Sequence, residues 1–557
     1  MDAAAVQRRV SWTPLVVIAM AQVLLAFNII TLKIAIDAIV TSYDAPASAV
    51  KTAIVVYSLA VAGCIMAGAR VGPVFGSLRV FRTAVTVFGI AMLAVVLSTD
   101  VIAMIVAQVV AGVAAAALVP TSVVLVADNY TGEQQTKALE WLSGVRSISL
   151  VPAFLLAGIL ATYSDWRIAF ALMLLLAACI YMLSGKLSSG PRQAGGRIDA
   201  VGFALTILAV LLIGLGFNNL TDWGVLRATP TAPFNVLNLS PALLVIACGI
   251  LLIKLLLIWS HKRRAAGGAC LIAPEVIDTP RERSALFSIF TIGAVSSAVT
   301  FLIPLYIEIV QGRNSLYTAL AMIPFTLSSA AAALLVGRLR GRVRPRVIAR
   351  YGFLVVAAGL AILGAVIRND WSDAMVILSM IVAGLGEGAL ATLLFEALIA
   401  AAPSEVADDV EPLCDATSHL AVAVGTTLAG ALVIGVLSFA VQRDLALNPV
   451  IAAELRTHLN LDKVAFVSND HLLQTLERTT ATPEQVAEAV RINTQARLRA
   501  LKVSFFALAA LALLAFIPNA RVRDEDVRTR PRTESQGGDL EARESQRAEK
   551  SGRSTVA

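Results

Sequence analysis

Apolar residues fill this chain in fourteen long runs separated by short polar turns. The runs lie at about 13–36, 47–68, 81–99, 101–126, 138–162, 168–186, 200–218, 239–260, 286–310, 316–336, 347–367, 373–400, 413–440 and 502–519. Each is roughly 20 residues long, the length a helix needs to cross a ~30 Å hydrocarbon core. Only helices and closed barrels satisfy their backbone groups in lipid. The pattern predicts an all-α polytopic membrane protein with 14 transmembrane helices. It reads as a six-helix bundle over 1–186, two inserted helices over 187–284 and a second six-helix bundle over 285–520.

Composition agrees with that class. The 557 residues are 58% hydrophobic and 15% charged, where a soluble chain would carry ~25% charged residues. The net charge of +7 does not point to nucleic acid, because the positive residues sit in short loops, where they orient the protein. Arg70, Arg79 and Arg82 follow span two, Lys262 to Arg264 follow span eight, and six arginines from Arg338 to Arg350 follow span ten. All fall on the side of both termini, and the positive-inside rule makes that side cytoplasmic. The expected location is the bacterial cytoplasmic membrane.

Two segments lie outside the bundle. Residues 441–501 read as a long external loop, in which Thr482-Pro483-Glu484-Gln485 opens a helix by a capping box. That helix is expected to run on into span fourteen. The tail 521–557 is rich in Arg, Glu, Ser and Gly and reads as disordered. None of the five cysteines lies in the external loop, so no disulfide framework is expected. No metal-ligand spacing, P-loop, dinucleotide fingerprint or nucleophile elbow appears. Neither a cofactor nor an enzymatic activity is expected.

Several motifs resemble the 14-span drug:proton antiporter branch of the major facilitator superfamily. Residues Gly68 to Arg79 resemble the family's turn between spans two and three. Gly72, Gly76 and Arg79 match it, while Pro73 stands at the family's aspartate. In span four, Gln108 to Gly112 and Pro120-Thr121 resemble the next motif, with Gln108 at the position of a buried arginine. Pro152 keeps half of the Gly-Pro pair of span five, and Trp166-Arg167 and Phe170 match the external turn. Asn28 stands where many members carry a carboxylate, and Lys33 at a usual asparagine. Asp199, and Ile303 to Gly312, match in pattern. The resemblance implies the fold and proton-coupled export, with Gly72, Gly76, Arg79, Gln108 and Pro152 in conformational switching. The aspartate and arginine it links to coupling are replaced.

Charges inside a span are costly and are functional candidates. Glu387 lies mid-span among Gly384, Gly386 and Gly388, where it could carry a proton or be locked to a basic partner. Glu396, nine residues on, points to the opposite side of the helix. Lys33 either snorkels outward or lines the cavity as an anion-attracting cation. Arg146 and Glu140 lie about 120° apart on span five, and Arg146 is a candidate for the charge lost at Gln108. Glu411, Asp415 and His419 form one stripe, suited to relaying protons or to pairing with the basic loop after span ten. Glu405 to Asp409 read as a solvated helix start, and Glu308 as an interfacial anchor.

These features point to secondary active export of a small amphipathic solute (drug, lipid or metabolite) by alternating access, possible proton coupling included. The partners expected are that solute and membrane lipids, with the protein a monomer. A transporter-like receptor or assembly partner of the envelope, without transport, is the competing reading.

Overall fold

The computed structural model describes residues 11–190, 199–234, 238–338, 345–368, 370–401, 407–447 and 482–520. Among them there is no strand, only one isolated bridge between Arg227 and Leu239. The long helices are α1 (Thr13–Ile34), α2 (Ala47–Phe75), α3 (Ser77–Leu97), α4 (Val101–Asn129), α5 (Gly132–Ile148 and Leu150–Tyr163) and α6 (Trp166–Leu183). They continue as α7 (Ala200–Asn218), α8 (Pro241–Ala265), α9 (Pro280–Leu305), α10 (Ser315–Arg338), α11 (Pro345–Val366), α12 (Ala374–Ala401), α13 (Ala407–Leu447) and α14 (Pro483–Ala520). Thirteen are long and apolar enough to cross a membrane, and Arg350–Val366 of α11 is a shorter apolar helix. The chain is a multi-pass membrane protein.

Local chemistry sets the helix ends. Asp100 accepts from the Ala103 N–H at 2.9 Å to start α4, and Asp165 accepts from Arg167 N–H at 2.8 Å to start α6. Each satisfies one of the free N–H groups of a first turn. A capping box of Thr279 and Glu282 opens α9. The expected capping box of Thr482 and Gln485 opens α14, with bonds of 3.1 and 3.3 Å. Gly76 turns the chain between α2 and α3 at φ 98°, a region that favours glycine. The break in α5 sits four residues before Pro152 at its start, where proline cannot donate back to Ile148. A short helix, Ile36–Tyr43, was not apparent in the loop after span one.

Packing groups the helices into two halves. In the first, α2 and α3 pack on α4, α6 on α3, and α1 on α5 and α6. In the second, α13 packs on α9, and α10 and α11 on α12. Gly364 brings α11 against Lys502 and Phe505 of α14. The halves meet where α2 packs on α13 and α5 on α10. Helix α7 rests on both α2 and α13, and α8 packs outside it. Leu97, Ile102, Leu175, Ile250 and Leu251 are exposed, as expected of surfaces that face lipid tails.

The long loop expected at 441–501 is helical at both ends, through Leu447 and from Pro483. Its middle, 448–481, lies outside the described residues, as do Arg340, Arg342, Arg344, Glu405 and the tail from 521.

Candidate functional site

Polar contacts tie the two halves together at both ends of the bundle and between them. The end at which α1 begins is called here the near end, and the other the far end.

At the near end the ties are ion pairs. Arg70 of α2 reaches Asp409 of α13 at 2.7 Å, and also donates to the Cys270 carbonyl at 3.5 Å. Asp409 is therefore not part of a solvated run: it is buried at the first turns of α13 and paired across the halves. About 9 Å further along α13, Arg146 of α5 donates to Asp415 Oδ1 at 2.8 Å. Asp415 is almost fully buried, whereas Arg146 keeps 48% of its side-chain surface in contact with free space. Glu411 lies within electrostatic reach of the same guanidinium. Among the described residues the stripe pairs with Arg146 of α5; most of the basic loop after span ten lies outside them.

The stripe continues to His419, whose ring meets the Tyr57 ring of α2 edge-on at 6.5 Å. Its Nδ1 has no hydrogen-bond partner, and neither has Asp415 Oδ2. The Tyr57 hydroxyl lies beside Asn28. Asn28 of α1 donates to Gln108 Oε1 at 3.0 Å, and Gln108 of α4 donates back to Asn28 Oδ1 at 3.3 Å. Both amides are fully buried. The position that holds a cation in the resembled family is therefore filled by a neutral reciprocal pair. Close approach of α2 and α4 makes this possible: a Cβ on Gly112 would lie 2.6 Å from the Tyr57 carbonyl oxygen. The result is a polar column from Gln108 through Asn28, Tyr57, His419 and Asp415 to Arg146.

Among the described residues, no ion pair ties the halves at the far end. Lys33, 4% exposed, donates to the Thr300 hydroxyl of α9 at 2.8 Å. It does not snorkel to the surface, and it has no ion-pair partner among the described residues. The Thr162 hydroxyl of α5 accepts from Leu316 N–H of α10 at 2.8 Å. Glu308 accepts from the Asp37 backbone N–H at 3.2 Å and is 1% exposed. It is not an interfacial anchor, because α9 ends in a π-turn, Tyr306–Val310, which carries this side chain inward. Arg167 pins the short helix, stacking over Trp166 at 4.5 Å and donating to Ser42 Oγ at 2.8 Å.

Glu387 lies midway along α12, inside the second half. Ser329 of α10 donates to its carboxylate, and Ser296 of α9 does so as well. Its partners are hydroxyls, and no ion pair forms among the described residues. Val295, Phe325, Val356 and Leu360 line the gap beside it, which is too narrow to admit a water molecule.

The remaining candidates are scattered. Glu140 is exposed and Glu396 half-buried, and neither joins the column. Gly72 is buried near Thr121, Arg79 is exposed, and Pro152 marks the α5 break. Asp199 caps α7 and accepts from Trp259 Nε1 at 3.1 Å. Sequence reasoning missed Arg70, Tyr57, Thr162 and the serines and threonines around Lys33 and Glu387. The one available signal was the concentration of hydroxyls at Ser296, Ser297 and Thr300 within an otherwise apolar run.

The family model described as Major Facilitator Superfamily matches residues 18–426. This chain belongs to the major facilitator superfamily. The probable transport protein HsrA of Haemophilus influenzae is 25% identical over 66% of this chain and 75% of its own length. The cephamycin export protein CmcT of Amycolatopsis lactamdurans is 24% identical over 62% of this chain and 69% of its own. The puromycin resistance protein pur8 of Streptomyces alboniger is 26% identical over 63% and 67%. Among solved structures, a bacterial homologue of the lysosomal transporter Spinster superposes with a TM-score of 0.60 at 13% identity, over 91% of this chain and 97% of that one. The fold is that of this superfamily, and the chain is a secondary transporter.

Proposed function

We propose that the chain exports a small amphipathic solute across a bacterial cytoplasmic membrane, by alternating access of the polar column to the two faces. The observation that supports this most is the pairing of gates. Polar contacts tie the halves at the near end through Arg70–Asp409 and Arg146–Asp415, and at the far end through Lys33–Thr300 and Glu308. Contacts of this kind can break at one end while holding at the other. The relatives named for cephamycin export and puromycin resistance support an antibiotic-like solute and the export direction.

Transport is preferred to catalysis because the buried polar groups bridge the two halves and, among the described residues, no nucleophile is paired with a base. The arginine-rich near end is taken as cytoplasmic, with both termini there and the protein working as a monomer. The two six-helix bundles flank the column, and the inserted pair α7–α8 rides outside them.

Liposomes holding purified protein, a pH-sensitive dye and a panel of amphipathic drugs test the reading. Substrate-dependent flux against a gradient, abolished by Arg146→Ala, is expected. No flux of any amphipathic compound in either direction would overturn it. For orientation, an impermeant thiol reagent applied outside cells should label a cysteine at Arg313 and spare one at Thr136, and the reverse pattern would invert the topology.

A further inference from the structure

Glu308 does more than tie the short helix to α9, because its surroundings are unusual. It is a carboxylate buried to 1% exposure, on the one π-turn among the described residues. Such turns are often found at functional sites. One oxygen accepts from the Asp37 N–H at 3.2 Å, and the other, Oε1, has no hydrogen-bond partner. An ionised carboxylate in that setting would carry a large desolvation cost, which the Asp37 N–H and the two neighbouring hydroxyls offset only in part because no cation pairs with it.

The groups that face it come from each element packed on the π-turn. The short helix brings the Asp37 carboxyl, a second acid within electrostatic reach. Helix α10 brings the Ser315 and Thr318 hydroxyls. Arg313 turns away, its guanidinium stacked over Tyr317 at 5.4 Å. On α9 itself, Lys33 is held at Thr300, about two helical turns back. Arg497 of α14 approaches Tyr306 rather than Glu308. No cation among the described residues pairs with Glu308. Two acids and two hydroxyls around an unfilled carboxylate oxygen make a site for a proton.

We propose that Glu308 is a proton-binding site of the far gate, loaded from the far face through Asp37. This rests on the alternating-access reading and adds its coupling ion. Asp37 is exposed at that face, and the protein around its carboxyl raises its pKa above the ordinary aspartate value, burial being the cause. It stands between the far-side water and Glu308, where it can pass a proton inward. The step adds one H⁺ from far-side water to Glu308 Oε1, giving a neutral carboxyl, and no other bond changes. Neutral Glu308 is compatible with the closed arrangement described here, its new O–H able to donate to Ser315 or Thr318. Ionised Glu308 beside Asp37 is not, because burial and like charge both oppose it. Loss of the proton therefore releases the contact between the short helix and the π-turn, and the far gate opens.

The test measures a distance, so it needs no substrate and can fail while the transport reading stands. Spin labels at Thr41 and Arg313, in full-length protein with the five native cysteines replaced and held in lipid nanodiscs, report the width of the far gate. Wild type should show a closed distance at about pH 5 and a population shifted to longer distances at about pH 9. Glu308→Gln, a neutral isostere, should stay closed at both. Asp37→Asn should move the midpoint to lower pH, because a neighbouring negative charge favours the protonated form. A second label pair at Thr136 and Arg338 that stays unchanged in Glu308→Gln confirms an intact fold. A far gate indifferent to pH, or a Glu308→Gln variant that responds like wild type, overturns the proposal. A shift driven by sodium at constant pH overturns the proton as the ligand, and a midpoint unmoved by Asp37→Asn removes Asp37 from the site.

Discussion

The two ends of the bundle are closed by different chemistry. At the near end, opposite charges meet across the halves, Arg70 with Asp409 and Arg146 with Asp415, at 2.7 and 2.8 Å. At the far end, Lys33 meets a hydroxyl and Glu308 meets a backbone N–H. Arg70 and Arg146 thus each have a counter-charge across the halves. Among the described far-end groups Lys33 and Glu308 do not, and buried Lys51 reaches only the Asn218 carbonyl, at 3.5 Å, with Asp222 within electrostatic reach. A paired end can hold itself shut, whereas an end with isolated buried charges depends on what else binds them. The bundle is thus biased: its near gate is self-sufficient and its far gate is conditional.

The largest effect should come from splitting the Arg146–Asp415 pair. Arg146→Ala strips buried Asp415 of its counter-charge, a loss tempered by the solvent that already reaches the half-exposed arginine. Thermal unfolding in detergent should fall well below that of wild type, and transport should be lost. The exchange Arg146→Asp with Asp415→Arg should recover part of both. No recovery would mean that the pair's surroundings, not its charges, matter.

Lys33→Met should act in the opposite direction on stability. It removes a buried charge that has no ion-pair partner among the described residues, and burial of an unpaired charge is destabilising. The variant is expected to unfold at a higher temperature while transporting less. A lower unfolding temperature would show that Lys33 has a partner that offsets its burial.

Glu387→Gln should be milder for folding, since glutamine can keep the hydroxyl bonds of Ser329 and Ser296. Expression and unfolding temperature should stay near wild type, while coupled transport or its pH dependence changes. Unchanged transport at every pH would leave Glu387 a structural residue. The smallest effects are expected at Lys254 and Glu140, both exposed. Alanine at Lys254 and glutamine at Glu140 should leave transport within about twofold of wild type, since exposed substitutions rarely exceed ±0.5 kcal/mol.

The helices themselves were legible from the apolar runs, because length and hydropathy decide whether a segment spans lipid. The Glu411–Asp415–His419 stripe was legible from its spacing. The partner of that stripe was not: Arg146 and Asp415 stand 269 residues apart, and helical periodicity says nothing about which helix faces which. Glu308 was misread because an ordinary α-helix would end at the interface there, and the π-turn that carries it inward has no sequence signature. Asp409 was misread because a run of acids is usually solvated, and only the packing of α2 on α13 brings Arg70 to it. The replaced motif positions at Pro73 and Gln108 were visible at once. That Gln108 is satisfied by Asn28, and that Arg70 and Arg146 hold the cross-half charges instead, follows from tertiary packing alone.

The central claim is that ion pairs hold the near gate and play no part in the far gate. Its most direct test measures both gates in the double variant Asp409→Asn and Asp415→Asn. Spin labels at Thr136 and Arg338 report the near end, and labels at Thr41 and Arg313 the far end, at about pH 5, where carboxyl groups of the far gate are expected to be protonated. The account predicts a near-end distance that broadens and lengthens, with the far-end distance unchanged. A near end that stays closed, or a far end that opens in its place, would contradict it.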